Sequence, residues 1–192
     1  SSHVIQLCKH FPYFLYSLIT PIHFTNTQSA AYQIQKFGYK PEDVKHIILS
    51  HFHPDHIGGL KDFNQAQIHC SKYAYSKLKK LSFFGALKEV FFKRLLPNDF
   101  AQRAHDIQNR SINVSFEPFK EGFDLFGDQS ILAVDLPGHA LGQFGIFLKT
   151  DSQVVFLAAD ACWQSDNYIN LEYPHMLAKT AINDYTAFCT TL

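Results

Sequence analysis

A mixed fold of the α/β or α+β class is what these 192 residues predict. Three observations carry that expectation. Val44–Ser50 (VKHIILS) is a short, β-branched, apolar run that reads as a buried strand. Ser71–Leu96 is amphipathic with helical spacing. Residues 111–170 then break into short apolar segments punctuated by Gly122, Gly127-Asp128, Pro137-Gly138 and Asp151-Ser152, the pattern of strands joined by turns.

From the amino end, Phe11–Ile22 (FPYFLYSLITPI) is apolar and held between Pro12 and Pro21. It is too short for a membrane span and has no small-residue cleavage site, so it reads as a short helix or helix-loop packed on a core. Ser29–Phe37 predicts a helix with Ala30, Ala31, Ile34 and Phe37 on one face and Gly38 as its stop. Tyr39–Asp43 is a turn, and the strand Val44–Ser50 follows it. Gln67–Cys70 is a second short strand, and Pro97-Asn98-Asp99 breaks the helix that begins at Ser71. Further strands are expected at Asn113–Phe116, Phe123–Leu125, Ser130–Asp135, Gln143–Leu148 and Val154–Ala158, with a helical tail over Pro174–Leu192. There is no internal repeat, and one domain over 1–192 accommodates all of this.

Composition excludes several classes. Apolar content of 46 % with 15 % aromatics is too high for a disordered chain. Seventeen basic and 17 acidic residues leave no net charge for binding nucleic acid by bulk electrostatics. Cys8, Cys70, Cys162 and Cys189 are far apart and form no CxxC, which fits a reducing, cytoplasmic setting. The chain opens Ser1-Ser2-His3 and its only methionine is Met176, so it reads as a processed chain or a fragment. Eleven histidines are an excess, and imidazole is the commonest metal ligand among side chains.

Four potential ligands, His51, His53, Asp55 and His56, stand within six residues directly after the Val44–Ser50 strand. Pro54 prevents that strand from continuing as a ladder. The backbone must turn, with Asp55 and His56 at the start of a helix. A loop at a strand end can aim all four side chains at one small volume, and Gly58-Gly59 allow close backbone approach behind it. Three imidazoles and a carboxylate suit a divalent transition metal. A catalytic zinc uses three protein ligands and keeps one position open, so further ligands from elsewhere would make the site binuclear. Asp160 ends the apolar run VVFLAAD, where a carboxylate needs a partner. His3, His10, His23, His46, His69 and His105 are isolated in sequence and read as surface or satisfied-core residues.

HFHPDH resembles the HxHxDH signature of the metallo-β-lactamase superfamily. The resemblance implies an αββα four-layer sandwich, incomplete in this chain, and metal ligation by His51, His53, Asp55, His56, His139 in its PGH turn, and Asp160 as a bridging carboxylate. It implies two divalent ions, zinc first, with iron, manganese or cobalt as alternatives. A metal-bound hydroxide would open a small lactone or ester, with Asp55 also orienting that nucleophile. The family's upstream Asp-Thr-Gly turn does not precede position 51. Its final histidine is represented only by His175 or lies past residue 192, so the chain reads as the middle of the family's domain.

Within the family, KRLLPNDFAQR, GYKPEDVKHIILSHFHPDHIGGL and LAADACW are similar to the N-acyl homoserine lactonase branch, which implies quorum-quenching chemistry. Residues 71–110 would then be a helical insertion walling the pocket. Phe83, Phe84, Phe91 and Phe92 would contact an acyl chain or simply pack the core. Where such lactonases carry a tyrosine, this chain has Trp163, whose indole N–H cannot act as a general acid. Tyr168 is the candidate to replace it, and Cys162 stands nearby as a small buried thiol or a neighbour of the metals. A glyoxalase-II-like thioester hydrolase and a catalytically degenerate metal-binding relative are the alternatives. The partner expected is a small molecule, with no nucleic acid and no membrane, and a homodimer is admitted.

Overall fold

The structure is a computed structural model that describes residues 1–11, 13–174, 179 and 182–191. Its first sheet is parallel and three-stranded, in the order β1 (His46–Ile48), β2 (Gln67–Cys70) and β3 (Ala104–Asp106). Parallel neighbours need long crossovers. Here helices supply them: α4 (Pro54–Ile57) between β1 and β2, then α5 (Lys72–Leu78), α6 (Phe83–Lys88) and α7 (Phe100–Arg103) between β2 and β3. Ahead of β1 come α1 (Ser2–Cys8), α2 (Phe14–Ile19) and α3 (Ala30–Gln33).

The second sheet is an antiparallel meander of β4 (Ser111–Phe116), β5 (Phe119–Asp124), β6 (Ile131–Asp135), β7 (Phe144–Lys149) and β8 (Val154–Leu157). Short turns suffice between antiparallel strands, as the Gly- and Asp-rich punctuation predicts. Beyond it lie α8 (Ser165–Ile169) and α9 (Tyr185–Thr191).

The sheets meet through a small apolar layer. Ile107, Ala133 and Phe144 are buried there, with Ile48, Phe123, Leu125 and Ile146 packed on them. Ala133 pairs with Phe123 and Ile146, so period-two alternation places all three on the inner face of the meander. A backbone bond links the end of β1 to β7, the Phe144 N–H donating to the Ser50 carbonyl at 3.3 Å, and within the first sheet the Leu49 N–H donates to the His69 carbonyl at 2.9 Å. A larger core lies among the helices, where Leu49, Phe52, Ile57, Ile68, Phe91, Phe92, Leu95 and Phe100 are buried against Tyr13 and Tyr16 of the amino-terminal segment.

Several expectations change. The helix expected over Ser71–Leu96 is two short helices, α5 and α6. The Ser71 hydroxyl caps the first through the Ala74 N–H, and the Ser82 hydroxyl starts the second through the Gly85 N–H, both at 3.2 Å. Val90 takes a left-handed φ of 47°, which stops α6. Segment 71–110 also supplies β3, a strand too short to show in the sequence pattern. The face Ala30, Ala31, Ile34, Phe37 is not buried. The helix tightens to a 3₁₀ turn at Ile34–Phe37, and Phe37 is 78 % exposed. Gly38 does end it, in the left-handed region at φ 83°. Of the helical tail, α9 is described, and much of 175–181 lies outside the described residues. Among the described residues no helix is long and apolar enough to cross a membrane.

Phe91 and Phe92 belong to the core, each 2 % exposed, while Phe84 is 80 % exposed. Phe92 holds the rings of Tyr13 and Tyr16 edge-on at 5.1 and 5.0 Å. Phe92→Ala is expected to lower unfolding stability by about 3–5 kcal/mol through the cavity it leaves. Phe84→Ala is expected to stay within about 0.5 kcal/mol. Urea titration of the two variants checks both values.

Candidate metal centre

Three chain segments converge where the parallel sheet meets the meander. The first follows β1. His51 and Phe52 are buried, and His53, still extended at φ −69° and ψ 156°, is the N-cap of α4. Pro54 occupies the first helical position, where a missing N–H costs nothing. One helical turn then presents Asp55 and His56. The second segment is the turn after β6, where the Leu136 N–H bonds the Gln143 carbonyl at 3.0 Å. Gly138 lies there at φ 130° against the Phe188 backbone, where a Cβ would collide, and His139 follows it. The third follows β8. Ala159, left-handed at φ 49°, turns the chain so that Asp160 points back at the histidines.

Asp160 is the hub. Its Oδ2 lies 3.2 Å from His139 Nε2, 3.3 Å from His56 Nε2 and 3.7 Å from His51 Nε2. His139 Nε2 also lies 2.9 Å from His53 Nδ1, and His56 Nε2 lies 3.6 Å from Asp55 Oδ2. Ligand atoms of His51, His53, His139 and Asp160 fall within 4.8 Å of one another, as do those of Asp55, His56 and Asp160. The two groups share the Asp160 carboxylate.

The electrostatics follow from burial and crowding. Burial first, and then the neighbouring imidazoles His56, His53 and His139, push the His51 pKa down to about 2. Burial and His139 push His53 down to about 3. For His56, burial opposes the charge, but Asp160 and Asp55 beside it outweigh burial and raise the pKa. Burial also opposes ionisation of Asp160, yet His139 and His56 hold its carboxyl far below the usual range.

The donor set fits a divalent transition metal. His51 Nε2 is buried and has no hydrogen-bond partner, a lone pair or N–H left unsatisfied in the middle of the cluster. Imidazole and carboxylate together are the borderline N/O set that zinc, iron, manganese and cobalt accept.

Ser50 was not foreseen. Its hydroxyl lies 3.1 Å from His51 Nδ1 and 3.3 Å from His56 Nδ1, touching one histidine of each group. The only local signal is a hydroxyl residue directly before the first ligand. The Trp163 ring stands edge-on to His139 at 5.6 Å. Tyr168, 58 % exposed on α8, lines a cavity of about 410 Å³ with Phe119, Leu136, Phe156, Ala161 and Cys162. Phe83, Phe91 and Phe92 line a different cavity, of about 160 Å³; the walls of neither cavity include any of the six ligand candidates, whereas Asp55 and His56 line a third, of about 480 Å³. His175 lies outside the described residues.

A parallel sheet packs against a meander, with histidines and aspartates gathered at their junction. Residues 24–175 match the family model of the metallo-beta-lactamase superfamily, and the chain belongs to that family. It is 31 % identical over 144 residues to a probable metallo-hydrolase of Mycobacterium bovis, covering 72 % of this chain and 43 % of that protein. It is 27 % identical over 157 residues to the N-acyl homoserine lactonase AttM of Agrobacterium fabrum, covering 80 % of this chain and 54 % of AttM. The chain thus spans about half the length of these curated relatives. In fold it is similar to a crystal structure of a B. thuringiensis AiiA mutant with N-decanoyl-L-homoserine at its active site. The TM-score is 0.63 at 21 % identity, over 88 % of this chain and 56 % of that one.

The depressed pKa values of His51 and His53 have a consequence for the metal-free chain. Below the ordinary histidine value of 6.5 the unfolded chain takes up protons that these two folded histidines refuse. Their contribution is therefore complete above pH 6.5 and is lost as pH falls towards 3. His56, raised, contributes fully below 6.5, and Asp160, lowered, contributes fully above 3.8, so neither changes much between. Unfolding stability in chelator is expected to fall by ~1–3 kcal/mol from pH 7 to pH 5. Urea midpoints at the two values test this, and His51→Gln flattens the dependence.

Proposed function

We propose that this chain carries the metal-binding core of a hydrolase that opens a small neutral lactone or ester of the acyl homoserine lactone type. The observation that carries the reading is the pair of ligand groups sharing Asp160. His51, His53 and His139 would hold one divalent ion, Asp55 and His56 would hold a second, and the Asp160 carboxylate would serve both. Zinc is the first choice of metal. Such ions, when bound, supply Lewis-acid polarisation of a carbonyl and lower the pKa of water to about 7.

The chain's own groups are suited to this arrangement. His51 and His53 are neutral at neutral pH, so they offer lone pairs rather than protons. Asp160 stays ionised and carries the negative charge that two cations require. The Ser50 hydroxyl, as acceptor for the Nδ1–H of both His51 and His56, keeps both Nε2 lone pairs turned toward Asp160. Asp55, 69 % exposed at its side chain, can accept a proton from an attacking water. The apolar cavity beside Ala161 and Cys162 suits an acyl chain, and the Tyr168 hydroxyl on its wall can donate to an ester oxygen, which Trp163 cannot do as an acid. The zero net charge and the relatives named as N-acyl homoserine lactonases support a neutral substrate of this kind.

In the full-length protein, hydrolysis of N-hexanoyl homoserine lactone is expected to vanish on chelation and return with zinc. Asp160→Asn is expected to cost at least about 100-fold in kcat/KM. Tyr168→Phe is expected to lower kcat with KM little changed. Turnover of acyl-glutathione thioesters in place of lactones would overturn the substrate, and two bound metals without turnover of either would overturn the activity. Separately, Ser50→Ala is expected to weaken zinc binding by about 10-fold or more, with Ser50→Thr restoring it, measured by competition with a chromogenic chelator.

A further inference from the structure

The three histidines His46, His69 and His105, isolated in sequence, stand together in the structure. β2 pairs with β1 through Ile48 opposite His69, and with β3 through His105 opposite His69. His46 is two residues before Ile48, so strand alternation places all three imidazoles on one face of the parallel sheet. His46 Nδ1 lies 3.0 Å from His69 Nε2, and their ring centroids are 5.2 Å apart. The His105 ring is 5.7 Å from that of His69 and tilted 32° to it. Phe126 covers His46 and His69 edge-on at 5.1 and 5.6 Å. Histidine rings in the first centre lie 3.9–5.0 Å apart, so each neighbouring pair in this row is only slightly wider.

We propose that His46, His69 and His105 form a second transition-metal site, separate from the centre around Asp160. His46 and His69 already meet nitrogen to nitrogen, while the ligand atoms of all three rings come within reach of one ion only once His105 turns. Zinc–imidazole bonds of about 2.0–2.1 Å in a tetrahedral site put ligand nitrogens about 3.3–3.4 Å apart, close to the present His46–His69 approach. One of those two nitrogens now donates a hydrogen bond to the other. When the ion enters, the donor ring moves its proton to its other nitrogen, so both rings bind as neutral imidazoles and no net proton is lost. His105, exposed on its strand, closes the third bond by turning its side chain. His69 is 8 % exposed, and burial with the neighbouring His46 and His105 lowers its pKa, which keeps it neutral and ready to ligate. Three imidazoles without a carboxylate select zinc, nickel or copper over magnesium, calcium or manganese. Solvent completes the coordination, so this site is the weaker of the two.

The test is zinc per chain at equilibrium across a range of buffered free zinc. Wild type is compared with His46→Gln/His105→Gln and with His51→Ala. Both residues of the double variant are exposed, so the core is untouched. Wild type is expected to bind one equivalent more than the double variant at high free zinc. His51→Ala is expected to keep that equivalent whatever the first centre does, so failure of the hydrolase reading and failure of this one give different results. Each single His→Gln variant is expected to raise the dissociation constant of this equivalent by at least about tenfold, since losing a direct ligand costs no less than losing its supporting partner. In zinc-loaded protein, traces of Cu²⁺ should broaden the ring resonances of His46, His69 and His105 before other histidines. Equal zinc uptake by wild type and the double variant, or copper broadening elsewhere first, would overturn the proposal.

Discussion

One carboxylate oxygen organises this molecule. Asp160 Oδ2 faces imidazoles from two separate segments, the loop after β1 and the turn after β6, and itself arrives from a third. A half-buried carboxylate loses hydration and must be compensated by partners that donate to it or by cations. His139 and His56 do so without a metal, which is why the carboxyl stays ionised against its burial. The same crowding leaves His51 and His53 neutral, and His51 Nε2 without a hydrogen-bond partner.

The fold supplies what that cluster needs. Parallel strands end at one edge of their sheet, and the loops after them meet there. The meander places the β6–β7 turn and the end of β8 against the same edge, joined by the bond from Phe144 to Ser50. Ser50 therefore has two connections: its carbonyl ties the sheets and its hydroxyl orients two histidines. Side chains that come from rigid strand ends and share a hydrogen-bonded support are held in place before any ligand arrives.

Family membership and the lactonase relatives agree with a hydrolytic reading, and the structure adds where its parts stand. The acyl-chain candidates Phe91 and Phe92 are core residues. A separate cavity is walled by Phe119, Leu136, Phe156 and Tyr168 from the meander and α8. Trp163 packs on His139 and supports that ring.

The ligand cluster was legible in the sequence because His51, His53, Asp55 and His56 are local: a strand, a proline and one helical turn decide their directions within six residues. His139 and Asp160 were legible only through a family resemblance, because no local rule says that a turn and a strand end some 20 residues apart will face the same point. Most strands of the meander were legible because period-two alternation and turn residues are local signals. The split of α5 from α6 was not, since it rests on a single cap, and neither was the exposure of the α3 face, since whether an apolar face is covered depends on what packs against it. Strand β3, the Ser50 bridge and the histidine row belong to tertiary structure alone. Each depends on register between strands far apart in sequence, which only the packing of the two sheets determines.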